Sequence, residues 1–386
     1  MAAPLYLDHN ATTPLAPGVL EAMLPFLEQQ PFNPSSDTGP ALLVRKALET
    51  ARQQVAQLVG ADRPQGIVFT SGGTESIHAA FHHALEDKPP GSSVLITAVE
   101  HSATRGAAKL WAARGFPTQV LPVESNGQVP FAALEEALER HRPALVSSIL
   151  ANNETGVIQD VQGWAERIHG AGALGHVDAI QAPGKLSIDA KSLGVDWLSI
   201  SGHKFGGPKG TGALYQREPR TESTWLAGGG QERGLRGGTE NVAGLIGLGW
   251  AAQSACARAG SGQDLETLAA SRDRLEGGIL AGVPGAQVAG AQSPRVSNTT
   301  QLLLPECPSE FLLPMVEDEG LLASAGSACD ATHHAPSQVL LAMGFPAEQA
   351  GCSLRLSLPP EIDPLEVDRA VEIVVQACRL LGGHGD

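Results

Sequence analysis

Ser201-Gly202-His203-Lys204-Phe205-Gly206-Gly207-Pro208 follows an apolar run, Val195 to Ile200, and sets a lysine where a strand should end. A lysine held there, between hydrogen-bonding neighbours and a Gly/Pro turn, suits a Schiff base to an aldehyde cofactor. Its amine attacks a carbonyl only when unprotonated, so burial and nearby positive charge must lower its pKa. Taken alone, a lysine beside such a turn reads as a solvated loop residue. Two further segments change that reading. Gly175 to Gln181 is a short apolar strand carrying a carboxylate, Asp178, at its end. Pyridoxal phosphate is an electron sink while its ring nitrogen stays protonated, and an acidic partner keeps it so. Ile67 to Ser76 reads as strand, glycine turn and helix start. That order aims backbone N–H groups and a helix N-terminus at a phosphate, with Ser71 and Thr74 as further donors. Loop, Asp and Lys in this order, each at a strand end, form a much more specific constellation than any one of them.

The elements that must position these groups are legible as periodicity. Apolar strand-like runs at 66–70, 92–97, 117–122, 144–150, 173–177, 195–200 and 212–216 alternate with amphipathic helical runs at 40–59, 75–87, 101–114, 130–141 and 160–171. Such alternation implies an α/β fold, a mostly parallel sheet covered by helices. Ligands bind beyond the carboxyl ends of strands in such sheets, where Ser71, Asp178 and Lys204 fall. The segment 226–240 is too glycine-rich for a helix or strand interior and reads as an ordered loop, with a long helix following from Asn241 to about Ala259. At 386 residues the chain exceeds what one core organises. The expected division is a large domain over 16–259 and a smaller α+β domain built from 1–15 and 260–386.

Composition narrows the classes further. Hydrophobic residues make up 42% of the chain and the mean hydropathy is −0.04, with no apolar run long enough for a membrane span. A motif begins within six residues of the first, so no signal or transit peptide is expected, and a cytoplasmic location is. A net charge of −15 argues against direct nucleic-acid binding. The five cysteines, Cys256, Cys307, Cys329, Cys352 and Cys378, contain no C-x-x-C pair, so neither a disulfide framework nor a protein-built metal site is expected. Glu75, His78, His82 and His83 sit at helical spacing, but they follow the phosphate turn and read as an exposed polar face, with no metal assigned.

With these residues in place, the chain resembles the cysteine desulfurase family (NifS/IscS-like) of fold-type I pyridoxal-phosphate enzymes, the branch that includes selenocysteine lyases. The resemblance runs from Tyr6-Leu7-Asp8-His9-Asn10-Ala11-Thr12-Thr13-Pro14 to Arg355-Leu356-Ser357. It passes through Asn33-Pro34-Ser35-Ser36, Ala151-Asn152-Asn153-Glu154-Thr155-Gly156, Gly228-Gly229-Gly230-Gln231-Glu232-Arg233 and Ser324-Ala325-Gly326-Ser327-Ala328-Cys329.

The resemblance implies a role for each matching residue. Lys204 holds the cofactor, Asp178 meets its ring nitrogen and Gln181 its phenolic oxygen. Gly73, Thr74, Ser201 and His203 bind the phosphate, and Thr239 reaches the phosphate in the partner subunit of a homodimer. His101 stacks on the ring and moves protons, while Asn153 and Arg355 fix the substrate carboxylate, a task that suits arginine's planar fork. Cys329, among small and polar residues, attacks the sulfur of L-cysteine and carries it as a persulfide to a protein acceptor, for iron–sulfur clusters, thio-cofactors or tRNA thiolation. Two departures stand out. Asp330, His333, His334 and Ala335 replace the commoner Thr/Ser-rich run before Pro336, a pattern shared with selenocysteine lyases, and Phe32 stands where a glycine is expected. L-selenocysteine is therefore an alternative substrate, and a non-catalytic sulfur-assembly subunit the rival from another class.

Overall fold

The computed structural model describes residues 4–219, 223–326 and 336–382. Its central sheet has seven strands in the order Ile67–Thr70, Gly212–Gln216, Trp197–Ser201, Leu174–Asp178, Leu145–Ile149, Val94–Thr97 and Thr118–Leu121. All neighbours run parallel except Gly212–Gln216, which is antiparallel to both strands beside it. Six of these strands are buried along their whole length or nearly so, which is why they read as continuous apolar runs and not as alternating ones. Register decides where the chemistry sits. Ile149 pairs with Asp178, Asp178 with Ser199, and Ser201 with Gly212, which also pairs with Thr70. The carboxyl ends of the parallel strands are thereby levelled along one rim.

Helices cover both faces of the sheet. Gly39–Val59 is capped by the Thr38 side chain and buries Val44, Leu48, Ala51 and Val55 on one stripe against Val242–Gly260. Gly73–Leu85 and Ser102–Ala112 bury Ile77, Phe81, Ala107 and Trp111 on the other side. Each fully buried Leu, Ile or Phe contributes roughly 1.5–3 kcal/mol from removal of apolar surface from water. The glycine-rich loop is held in place by its charges. Glu232 accepts two hydrogen bonds from Arg52, at 2.7 and 2.8 Å, and one from the Phe69 backbone N–H at 2.9 Å.

A second core collects residues from both ends of the chain. Leu5 and Leu7 pack with Leu275, Ile279, Leu302, Leu354, Leu356, Val367 and Val374. The antiparallel strands Gln287–Val288, Thr299–Leu303 and Ser353–Ser357 form its sheet, and Leu5–Tyr6 pairs in parallel with Leu321–Leu322. Helix Pro364–Leu381 begins with proline at its first position and a capping box between Asp363 and Glu366, which satisfies donors that the helix start would otherwise leave open. Helix Val19–Glu28 was not expected, since Pro25 interrupts its pattern. Phe32 lies exposed in the irregular stretch after it. No helix among the described residues is long and apolar enough to cross a membrane.

The expected exposed polar face on Gly73–Leu85 is corrected by the packing. His83 is buried, stacked parallel to the Trp197 ring, with Nε2 against Gln216 Nε2 at 3.1 Å. Glu75 is occupied by Arg236 and by the Ser71 N–H. The helix is enclosed by the sheet on one side and Trp225 on another, so polar residues fall on buried positions. Among the described residues there is no group of His, Cys, Asp or Glu able to hold a metal.

Candidate active site

A cavity of about 420 Å3 opens at the levelled strand ends. Gly73, Thr74, His101, Asn153, Asp178, Gln181, Ser201, His203, Lys204 and Arg355 all line it. Of the described residues expected at the site, Ser71 and Thr239 are absent: Ser71 is exposed with its backbone N–H donating to Glu75, and Thr239 lies exposed in the glycine-rich loop. Cys329 lies outside the described residues, while Gly326 and Pro336, the nearest described positions on either side of it, both line the cavity.

Lys204 closes a short helical turn, Gly202–Lys204, directly after the strand Trp197–Ser201. Its Nζ donates to the carbonyl oxygens of Asn10, at 2.7 Å, and Ala11, at 2.8 Å. Asp178 ends the adjacent strand, is 2% exposed and accepts from the Ile180 N–H at 2.9 Å. Burial pushes its carboxyl up to about 6, although the Ile180 N–H and the nearby Lys204 pull the other way. A buried carboxylate with too little compensating charge fits a cationic ring nitrogen beside it.

The phosphate end is set by backbone. Helix Gly73–Leu85 starts with no side chain capping it, and Gly73 and Thr74 face the cavity. A Cβ on Gly73 would lie 2.2 Å from Ile180 Cδ1, so a larger residue at this helix start would have to push the Ile180 side chain aside. Ser201 and His203 complete a donor set suited to an anion at a helix N-terminus. These residues fit pyridoxal phosphate at both its charged end and its ring nitrogen.

Two histidines are held neutral. His101 caps helix Ser102–Ala112, its Nδ1 accepting from the Ala103 N–H at 3.1 Å, which leaves Nε2 to carry the proton. Burial, with Lys204 and Arg105 adding positive charge, lowers its pKa to about 4. Burial lowers His203 to about 4 as well, helped by Lys204 and Lys209. Arg355, 2% exposed on strand Ser353–Ser357, donates from Nη2 to Asp8 Oδ1 at 2.5 Å and from Nη1 to the Asn153 carbonyl at 3.1 Å.

Residues not singled out in the sequence also belong here. Asn10 lines the cavity and accepts from both Lys204 Nζ and Gln181 Nε2 on its carbonyl. Its signal was its place in the N-terminal motif, 194 residues from Lys204. Glu100, next to His101, lines the cavity and accepts from Thr97 Oγ1 at 2.6 Å and the Ile149 N–H at 2.8 Å. Burial, with Asp178 adding like charge, pushes its carboxyl up to about 8.

Residues 5–370 match the model of the aminotransferase class-V family. The chain belongs to the aminotransferase class-V family. It is 41% identical over 385 residues to a cysteine desulfurase of Cereibacter sphaeroides, covering 99% of this chain and 98% of that one. Among solved structures it is similar to a NifS-like protein, with a TM-score of 0.87, 32% identity and coverage of 97% and 98%. It is also similar to SspA in complex with cysteine, with a TM-score of 0.80, 30% identity and coverage of 93% and 100%. Class-V members of this kind use pyridoxal phosphate, and the fold is fold-type I.

Proposed function

We infer that this chain is a pyridoxal-phosphate cysteine desulfurase, releasing L-alanine from L-cysteine. The observation that carries this is the convergence of Lys204, Asp178, His101 and Arg355 on one cavity, in a chain 41% identical to a cysteine desulfurase over nearly its whole length. Bound there, the cofactor supplies an electron sink for cleavage at the substrate. The rest falls to the protein. Thr74, Ser201, His203 and the N–H groups at Gly73 grip the phosphate, and Asp178 keeps the ring nitrogen charged. Arg355 and Asn153 orient the substrate carboxylate. The Lys204 amine would hold the cofactor, and in the reaction it would move a proton at the substrate carbon. His101 presents a neutral Nε2–H to the cavity for a second proton transfer.

Cys329 receives the sulfur. An S–S bond forms to its thiolate as the substrate C–S bond breaks, and the carbon is then protonated to give alanine. The finer parts of this reading are a homodimer with Thr239 reaching the partner subunit's cofactor phosphate, a cytoplasmic setting, and a protein acceptor in iron–sulfur or thio-cofactor synthesis. Exposed Leu20, Leu24, Leu27, Leu42 and Leu43, on two helices that both pack against Val242–Gly260, support the dimer. The separate cores support a division into 16–259 and 1–15 with 260–386. The relatives' shared name favours L-cysteine over L-selenocysteine as substrate.

Alanine formation from L-cysteine by the cofactor-loaded protein tests the reading. Wild type should give alanine and Lys204→Ala none. Undiminished alanine from the Lys204 variant would sink it.

A further inference from the structure

Lys185 is 8% exposed and does not line the cavity, yet its Nζ makes two short hydrogen bonds, 2.6 Å each, to Asn10 Oδ1 and Gln181 Oε1. A lysine ammonium offers donors and no acceptor, whereas the two ends of a glutamine amide have nearly the same shape and opposite polarity. With Oε1 committed to Lys185, Gln181 is left with its Nε2 to offer, which donates to the Asn10 carbonyl at 2.9 Å. That same carbonyl accepts from Lys204 Nζ. Asn10 is fixed in turn. Its Oδ1 accepts from Lys185 and Asn298, and its Nδ2 donates to the Asn153 carbonyl and to Thr299 Oγ1.

We propose that Lys185 is a positioning residue of this site: by holding Gln181 Oε1 and Asn10 Oδ1, it obliges Gln181 to present an N–H, and not a carbonyl, to the phenolic oxygen of the cofactor. The proposal rests on the reading of Gln181 given above. The charged groups that act on Lys185 are Lys204, Arg355 and Arg258, all cationic, with His9 nearby. Burial, with that like charge added, lowers the Lys185 pKa well below 10.5. A cation in such surroundings lowers folding stability unless its partners compensate. Orientation of two amides at the site is what its two hydrogen bonds achieve.

The test is the pH midpoint of the visible absorbance band of the holoprotein in wild type, Lys185→Met, Gln181→Ala and the double variant. An amide N–H aimed at the phenolic oxygen makes the titrating proton easier to lose. Each single variant should therefore raise the midpoint, by about one pH unit. The double variant should move it no further than the larger single shift, because Lys185 acts through Gln181. Lys185→Gln is the second variant, should methionine prevent folding. Its amide can donate or accept, so it no longer dictates which end of Gln181 faces the cavity, and it too should raise the midpoint. A residue serving the fold alone would change the melting temperature and leave the midpoint in place. A wild-type midpoint in the Lys185 variants, with Gln181→Ala shifted, overturns this proposal alone. An additive double variant overturns it too, since that is direct charge and not positioning. A wild-type midpoint in Gln181→Ala overturns the reading of Gln181 and the proposal with it.

Discussion

Asp8 and Arg355, 347 residues apart, form an ion pair, the guanidinium buried and the carboxylate half-buried, that fastens the N-terminal segment to the strand Ser353–Ser357. The guanidinium assigned to the substrate carboxylate thus already carries an anion on Nη2 and two backbone carbonyls, of Asn153 and Gly326, on Nη1. Substrate must share or displace that set. Arg355→Lys should lower kcat/KM for cysteine by two to three orders of magnitude, roughly the 2–5 kcal/mol lost when one member of a buried charged pair is replaced. Lysine cannot reproduce the fork. Asp8→Asn separates the two functions: the unfolding midpoint should fall while KM for cysteine does not rise, because the competing anion is gone. A KM raised equally by both substitutions would show that Arg355 acts through the fold and not on the substrate.

Glu100 gives a pH signature. Its folded pKa, raised to about 8, lies above the ordinary 4.5, so the folded state binds a proton that the unfolded state releases. Stability from this group is present below pH 4.5 and is lost as pH rises through 8. Glu100→Gln keeps an acceptor for Thr97 and the Ile149 N–H, and offers an N–H toward Thr104 where the carboxyl group stands in wild type. Urea unfolding of the cofactor-free protein should find the variant more stable than wild type at pH 8, by on the order of 4 kcal/mol, with the gap closing toward pH 4.5. A gap independent of pH would show that Glu100 is ionised in the folded chain.

Thr239 tests whether the site needs two chains. Mixed dimers of a Lys204→Ala chain and a Thr239→Ala chain contain one site that is wild type throughout, provided the threonine acts in trans. In that case the site retaining Lys204 should bind cofactor with wild-type affinity. If Thr239 acts within its own chain, that site keeps the weakened affinity of the Thr239→Ala parent.

Much of the site was legible because its residues terminate strands. Asp178 and Lys204 follow apolar runs whose ends the sequence marks with a polar residue, and register in the sheet brings those ends together. Asn10 and Lys185 were not legible. Lys185 follows Pro183-Gly184 and reads as a turn lysine, while one of its two partners lies 175 residues away. Asp8 belongs to a quoted motif, but nothing local announces its pairing with Arg355. His83 was misread because helical spacing reveals which residues share a face and not how many faces are covered. The strands of the second core were missed as well, since two of its pairings span only two residues each.

The central claim is that Cys329 takes sulfur from cysteine. The other cysteines are poorly suited to it. Burial raises the thiols of Cys307, Cys352 and Cys378, and Cys256 is half-buried on helix Val242–Gly260. The direct measurement is peptide mass spectrometry of the cofactor-loaded protein after incubation with L-cysteine, alongside Cys329→Ser with alanine quantified in both. One added sulfur should appear on the Cys329 peptide of wild type. The serine variant should keep the cofactor's visible band and its change on adding cysteine, yet form no alanine, because a neutral hydroxyl is a poor nucleophile toward sulfur. Sulfur found on Cys307 or Cys352 instead, or alanine released by the serine variant at the wild-type rate, would contradict the account.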